Sequence, residues 1–223
     1  MALGASYAGL RAMTASSGGG FDLMTEGLSL AGMTETPIVI MVSQRPGPST
    51  GLPTRTEQGD LNLLVHAGHG EFPRMIFAPG TILEAIEIAR DAFDLADSLQ
   101  SPILILTDQY LADSIQTVEA EIPRSVSHRT CRAYDETYRR YALTNGGLSP
   151  LTYPGIGKAL VRLDSDEHDE DGRITEDLDL RVRMVDKRMQ KAKHMTSLSR
   201  KPTFCGNPEA EWILISWGSN RQI

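Results

Sequence analysis

Cysteine is scarce: Cys131 and Cys205 are the two present in 223 residues. Such a pair cannot make a disulfide framework or hold an iron–sulfur cluster, so a reducing, cytoplasmic compartment is the expectation. Long apolar runs are missing too. None approaches the ~20 residues that would span a bilayer, so no membrane partner is expected. The opening "MALGASYAGLRAM" lacks the basic start and long apolar core of a signal peptide. Nor is there an excess of positive charge, since 22 Lys and Arg against 29 Asp and Glu leave a formal −7. Phosphate contacts need clustered Lys and Arg, which argues against nucleic acid as a partner. The basic run "RVRMVDKRMQKAKH" is local and reads as one face of a helix.

What is present suffices for a core. Apolar residues make up 40% of the chain, and its length fits one large domain or one and a part. The first sixteen residues predict a helix of small residues that turns into a short strand near residues 12–15. "SSGGG" predicts a turn. Helical spacing over residues 21–34 places Leu23, Met24, Leu28, Leu30 and Ala31 inward. Pro37 then opens an apolar run over residues 38–42, whose lack of alternation predicts a strand covered on both faces. "RMIFAP" predicts another strand. Thr81, with Glu84 three residues later, has capping-box spacing. The helix it opens should reach about Leu99, with Ile82, Ala85, Ile86, Ala89, Phe93 and Ala96 inward. "PILILTD" is the next strand.

Strand, helix and strand in repeated order predict a doubly wound α/β fold with a mainly parallel sheet. Ligands in such sheets bind beyond the carboxyl ends of the strands, and the loop over residues 44–59 lies at one such end. The pattern weakens after Ser114. "RLDSDEHDEDGRITEDLD" is acidic and expected to be exposed, "DLRVRMVDKRMQKAKHM" predicts a helix, and "EWILISWGSN" predicts a strand. The expected organisation is one domain over residues 1–122, an extension and linker over 123–208, and the first strand of a second α/β domain over 209–223.

Several motifs weigh towards bland readings. "SGGG" before a helix lacks the Lys and Ser/Thr of a P-loop and the spacing of a dinucleotide fingerprint. "GASYAG" is not the hydrolase elbow, because its second Gly comes one residue late. His66, His69 and Glu71 have no clear third ligand and read as a structural or substrate-edge loop. The acidic cluster lacks calcium-loop spacing and reads as solvated. Arg45 is different. A guanidinium can bind a carboxylate bidentately, and its place between a strand end and "PGPSTGLPT" favours a ligand over a surface ion pair. Pro46 and Pro48 stiffen that loop.

The stretch from "GASYAGLRAM" through "QRPGPSTGLPTRTEQGDL" resembles the α subunit of 2-oxoacid:ferredoxin oxidoreductases, nearest the 2-oxoglutarate enzymes. The likeness continues through "HAGHGEFPRMIFAPGT", "ILTDQYLADS", "EHDEDGRITEDLDLRVRMVDKRMQK" and "WILISWGS", and so covers essentially the whole chain. The resemblance implies the pyrimidine-binding domain of the thiamine-diphosphate fold. It implies oxidative decarboxylation of a 2-oxoacid with coenzyme A to acyl-CoA and CO2, with electrons passed to ferredoxin. It also implies a β subunit that shares thiamine diphosphate and carries Mg2+ and a [4Fe–4S] cluster. Arg45 matches the family arginine that anchors the substrate carboxylate, and Ser17, Gly18 and Phe21 match the loop beside the pyrimidine ring.

The resemblance also marks departures. The family glutamate that activates the aminopyrimidine lies before the position of Met1, so no catalytic residue is assigned, and the chain reads as a piece shortened at both ends. Neither Glu26 nor Glu35 is promoted to that role. The alternatives are the same chemistry on pyruvate or branched-chain 2-oxoacids, and an inactive fragment or interaction module.

Overall fold

The computed structural model describes residues 1–119, 129 and 131–222. The expected boundary between residues 122 and 123 lies outside the described residues. Four strands, β1 (Met13–Ser16), β2 (Ile38–Gln44), β3 (Met75–Phe77) and β4 (Pro102–Asp108), form one sheet in the order β1-β2-β4-β3. Every pairing is parallel. Helices α1 (Ala2–Tyr7), α2 (Gly18–Asp22), α3 (Thr25–Met33) and α4 (Leu61–His66) precede β3, α5 (Ile82–Leu99) joins β3 to β4, and α6 (Gln109–Ala112) follows it.

Residues of β2 alternate between two cores, which is why its sequence shows no polar alternation. Ile38, Ile40 and Val42, with Leu104 and Leu106, pack against Phe21, Leu28, Ala31 and Leu64 on one face. Val39, Ile103 and Ile105 pack on the other against Ile88, Ala92, Ala96 and Leu99 of α5. Each fully buried aliphatic side chain contributes roughly 1.5–3 kcal/mol. The two-sided cover expected of a doubly wound sheet is therefore present.

Thr81 caps α5 by accepting from Glu84 N at 3.0 Å, while Gly80 N donates to Glu84 Oε2 at 2.8 Å. The helix ends at Gln100, held at φ 49. Its buried stripe is Ile88, Ala92, Ala96 and Leu99, with Ala89 and Phe93 flanking it, a rotation away from the stripe that spacing suggested. The segment over residues 21–34 is two helices with a break at Leu23 and Met24, so Leu23 and Leu30 face outward. "SSGGG" is also no turn, because Gly18 to Gly20 form the first residues of α2.

Helix α7 (Leu178–Leu198) is the helix expected from the basic run, and part of that run is buried together with Met184 and Met195. Lys187, Arg188 and Lys191 are on the buried side. The acidic segment is exposed at Asp166 and at Glu176 to Asp179, as expected, but its middle is held. His168 is fully buried beside the Tyr141 ring, Glu167 pairs with Arg188, and Glu170 Oε2 accepts from Leu143 N. The predicted strand in "EWILISWGSN" joins no ladder, and Trp212 to Ile215 lie exposed. A short 3-10 helix (Gly218–Gln222) follows it.

Candidate functional site at the carboxyl ends of the strands

The apolar strands β2 and β4 end in polar residues. Gln44 and Asp108 stand side by side in the ladder, both almost fully buried. Arg45 is the next residue after Gln44, so the sheet itself delivers the guanidinium to the mouth. The chain then loops outward and returns at Asp60, whose backbone N–H donates to Gln44 Oε1 at 3.0 Å. The Asp60 carboxylate turns back to accept from the backbone N–H of Arg45. Burial raises the Asp60 pKa, that hydrogen bond and the Arg45 charge oppose the rise, and Asp22 and Glu57 add to it.

Helix α2 closes the other side. A Cβ on Gly18 would stand 2.5 Å from Asp60 Oδ2, so only glycine admits this approach. Ser17 occupies the N-cap position, and its side chain makes no capping hydrogen bond. Phe21 is a core residue, completely buried beneath the loop. Arg45, Ser17 and Gly18 thus gather at one mouth, whereas Phe21 supports it from below.

Buried polar atoms without partners gather at this mouth, and Glu35 Oε2, Gln109 Oε1, Tyr153 Oη and His168 Nε2 are the others among the described residues. Gln44 Nε2, Arg45 Nε and Asp60 Oδ2 are all buried and have no hydrogen-bond partner. Buried polar groups are nearly always paired, and an unpaired one costs about 1–3 kcal/mol. Two donors and one acceptor held in this way suit an organic ligand carrying a carboxylate. The polar terminal residues of the apolar strands were the available signal for Gln44 and Asp108; nothing local marks Asp60, which lies fifteen residues beyond Arg45 in a turn-rich loop.

The amino ends of the strands hold charge of another kind. Glu35, fully buried at φ 50 between α3 and β2, pairs with Lys187 through Oε1. Its Oε2 lies 2.5 Å from Lys191 Nζ, close but off the hydrogen-bond direction. Arg140 donates to Glu35 O at 2.7 Å and to Gln100 Oε1 at 2.9 Å, and Lys191 donates to Gln100 O at 2.9 Å. Burial pushes the Glu35 pKa up, but Lys191, Lys187 and Arg140 outweigh it and hold the carboxyl at about 2. Burial lowers Lys191 to about 8 against the pull of Glu35. This glutamate is committed to α7 and unavailable to a ligand. His66 ends α4, and His69 donates its backbone N–H to Ser29 Oγ at 2.6 Å. Among the described residues no group of three or more His, Cys, Asp or Glu could hold a metal ion.

A parallel two-sided sheet with its unpaired polar groups at the carboxyl ends is the architecture of a cofactor-binding α/β domain. Residues 1–187 match the family described as pyruvate flavodoxin/ferredoxin oxidoreductase, thiamine-diphosphate-binding, and the chain belongs to that family. Over 98% of its length it is 42% identical to the α subunit of 2-oxoacid:ferredoxin oxidoreductase 1 from Sulfurisphaera tokodaii, of which it covers 36%. Over 52% of its length it is 40% identical to the 2-oxoglutarate synthase subunit KorA of Archaeoglobus fulgidus, of which it covers 34%. The 2-oxoglutarate:ferredoxin oxidoreductase from Magnetococcus marinus, solved with 2-oxoglutarate, coenzyme A and succinyl-CoA bound, matches at TM-score 0.83 and 38% identity. That match covers 90% of this chain and 35% of the other. The chain therefore spans about a third of the length of these relatives.

Proposed function

We propose that this chain is the part of a 2-oxoacid:ferredoxin oxidoreductase α subunit that receives the substrate carboxylate, with 2-oxoglutarate as the favoured acid. The carrying observation is the pair of buried, unpartnered donors, Gln44 Nε2 and Arg45 Nε, at the carboxyl end of β2. A carboxylate supplies acceptor lone pairs and the counter-charge in one group. The relatives carrying 2-oxoglutarate in their names favour that acid over pyruvate or a branched-chain 2-oxoacid.

The donor set also fits the edge of an aminopyrimidine. Asp60 Oδ2 is a free buried acceptor, and Ser17 and Gly18 lie beside it at the start of α2. Thiamine diphosphate bound here would supply a nucleophilic carbon for the chemistry at the 2-oxo group. The residues of this chain orient the acid by its carboxylate, keep water from the buried amide and guanidinium, and accept an amino hydrogen at Asp60. In this reading the β subunit binds Mg2+ and the [4Fe–4S] cluster, and ferredoxin and coenzyme A meet the assembled enzyme.

Arg45→Ala in the complete oxidoreductase tests the reading. Loss of a buried charge-assisted contact costs roughly 2–5 kcal/mol, which should appear as a large rise in KM for the 2-oxoacid. Thiamine diphosphate affinity should change little. An unchanged KM would remove Arg45 from the substrate site, and KM values for 2-oxoglutarate, pyruvate and a branched-chain acid would rank the substrates.

A further inference from the structure

The loop that follows Arg45 is exposed over most of its length, and its internal bonds are short-range. Leu52 N donates to Pro46 O at 3.2 Å and Gly51 N to Pro48 O at 3.0 Å. Gln58, half-buried near its return, reaches outward. Its Nε2 donates to Asp108 Oδ2 at 3.1 Å and to Trp217 O at 3.2 Å, and its Oε1 accepts from Asn220 Nδ2 at 2.7 Å. The same Asp108 carboxylate accepts from Ser219 Oγ at 2.5 Å and, through Oδ1, from Leu111 N at 2.9 Å.

The far partner is built for this approach. Gly218 has φ +61, and a Cβ on it would stand 2.9 Å from Gln58 Nε2. A Cβ on Gly80 would stand 2.7 Å from Gly218 O, so the turn is also pressed against the loop after β3. Trp217 packs on the core that contains Phe21 and Val42. Gln58 is two residues from Asp60, and Asp60 fixes both the Gln44 side chain and the Arg45 backbone.

We propose that Gln58 is a positioning residue for Arg45, its carboxamide registering the loop against the Asp108 carboxylate of β4 and the turn at Trp217 to Asn220. The proposal rests on the reading of Arg45 as the carboxylate anchor and deepens it. The position of the segment that continues past Trp217 is thereby transmitted to the substrate end of the site. A guanidinium out of register with its ligand loses the directionality of a charge-assisted bond, so the bond pattern around one loop amide controls how well the acid is held.

The test is a double-mutant cycle in the complete oxidoreductase, with Gln58→Ala, Asn220→Ala and the pair. Gln58→Ala should raise KM for the 2-oxoacid about tenfold, the loss of a hydrogen bond to a charged group, with kcat within about twofold and KM for coenzyme A unchanged. Asn220→Ala should raise it by a smaller factor, and should add nothing once Gln58 is gone. A purely structural role would lower the melting temperature without this selective rise, and an unmoved KM in Gln58→Ala would overturn the proposal. Should Gln58→Ala fail to fold, exposed Asn220→Ala decides alone: a raised KM supports coupling and an unchanged one refutes it. Arg45→Ala separates the two failures, because an effect there with none at Gln58 sinks only the positioning role.

Discussion

The two ends of the sheet treat buried polarity in opposite ways. At the amino ends, Glu35, Lys187, Lys191 and Arg140 each have a counter-charge or a carbonyl, and the cluster ties α7 to the β2 entrance. At the carboxyl ends, Gln44 Nε2, Arg45 Nε and Asp60 Oδ2 are buried with nothing to bond. Charge density alone would have picked the Glu35 cluster as the site. Glu35 Oε2 also lacks a hydrogen bond but has the Lys191 charge beside it. The linked Gln44, Arg45 and Asp60 atoms at the other end instead leave donors enclosed without an acceptor, a cost that a ligand can relieve. Strongly displaced pKa values arise in structural ion pairs as readily as in active sites.

That contrast can be broken. Glu35→Ala leaves buried cations without their counter-charge and should cost roughly 3–5 kcal/mol in urea denaturation, with KM for the 2-oxoacid unmoved in the complete enzyme. A raised KM would join the two ends functionally. The acid limb gives a second reading. The Glu35 carboxyl sits at about 2 in the folded protein instead of the ordinary 4.5, so its stabilisation is complete above 4.5 and lost as pH falls towards 2. Stability measured against pH should drop through that window, and Glu35→Gln should flatten the drop while lowering stability at neutral pH. Gly18→Ala acts at the open end, where the new Cβ must displace the Asp60 carboxylate. Overpacking of this kind costs roughly 1–3 kcal/mol, and here KM should rise as well. A variant that lost stability alone would remove Asp60 from the site.

The elements that build the sheet were legible because their signals are local. The runs of β2 and β4, the Thr81 cap and the length of α5 follow from residues within a few positions of one another. The place of Arg45 at the carboxyl end of β2 was legible for the same reason, as it is the first charge after an apolar strand. The partners of Arg45 were not. Asp60 meets Gln44 only because the loop folds back, and Gln58 meets Trp217 across 159 positions. Helix α7 was legible as a helix but its buried side was not, since Lys187, Arg188 and Lys191 share that side with Met184 and Met195 and blur the hydropathic stripe. Likewise "EWILISW" carries the composition of a strand, but a ladder needs a neighbour, and none lies beside it among the described residues.

The bond between Glu35 and Lys187 joins residues 152 positions apart. Gene shuffling with a related α subunit therefore has a forbidden zone. A crossover anywhere between those two positions takes the carboxylate from one parent and its cations from the other, so a hybrid keeps its fold only where both parents carry the same charges. Swaps that begin before Glu35 and end after Lys191 move the whole group together, and the Arg45 loop travels inside them. In recombination terms, the Arg45 end of this domain is inherited as a passenger of its buried ionic seam.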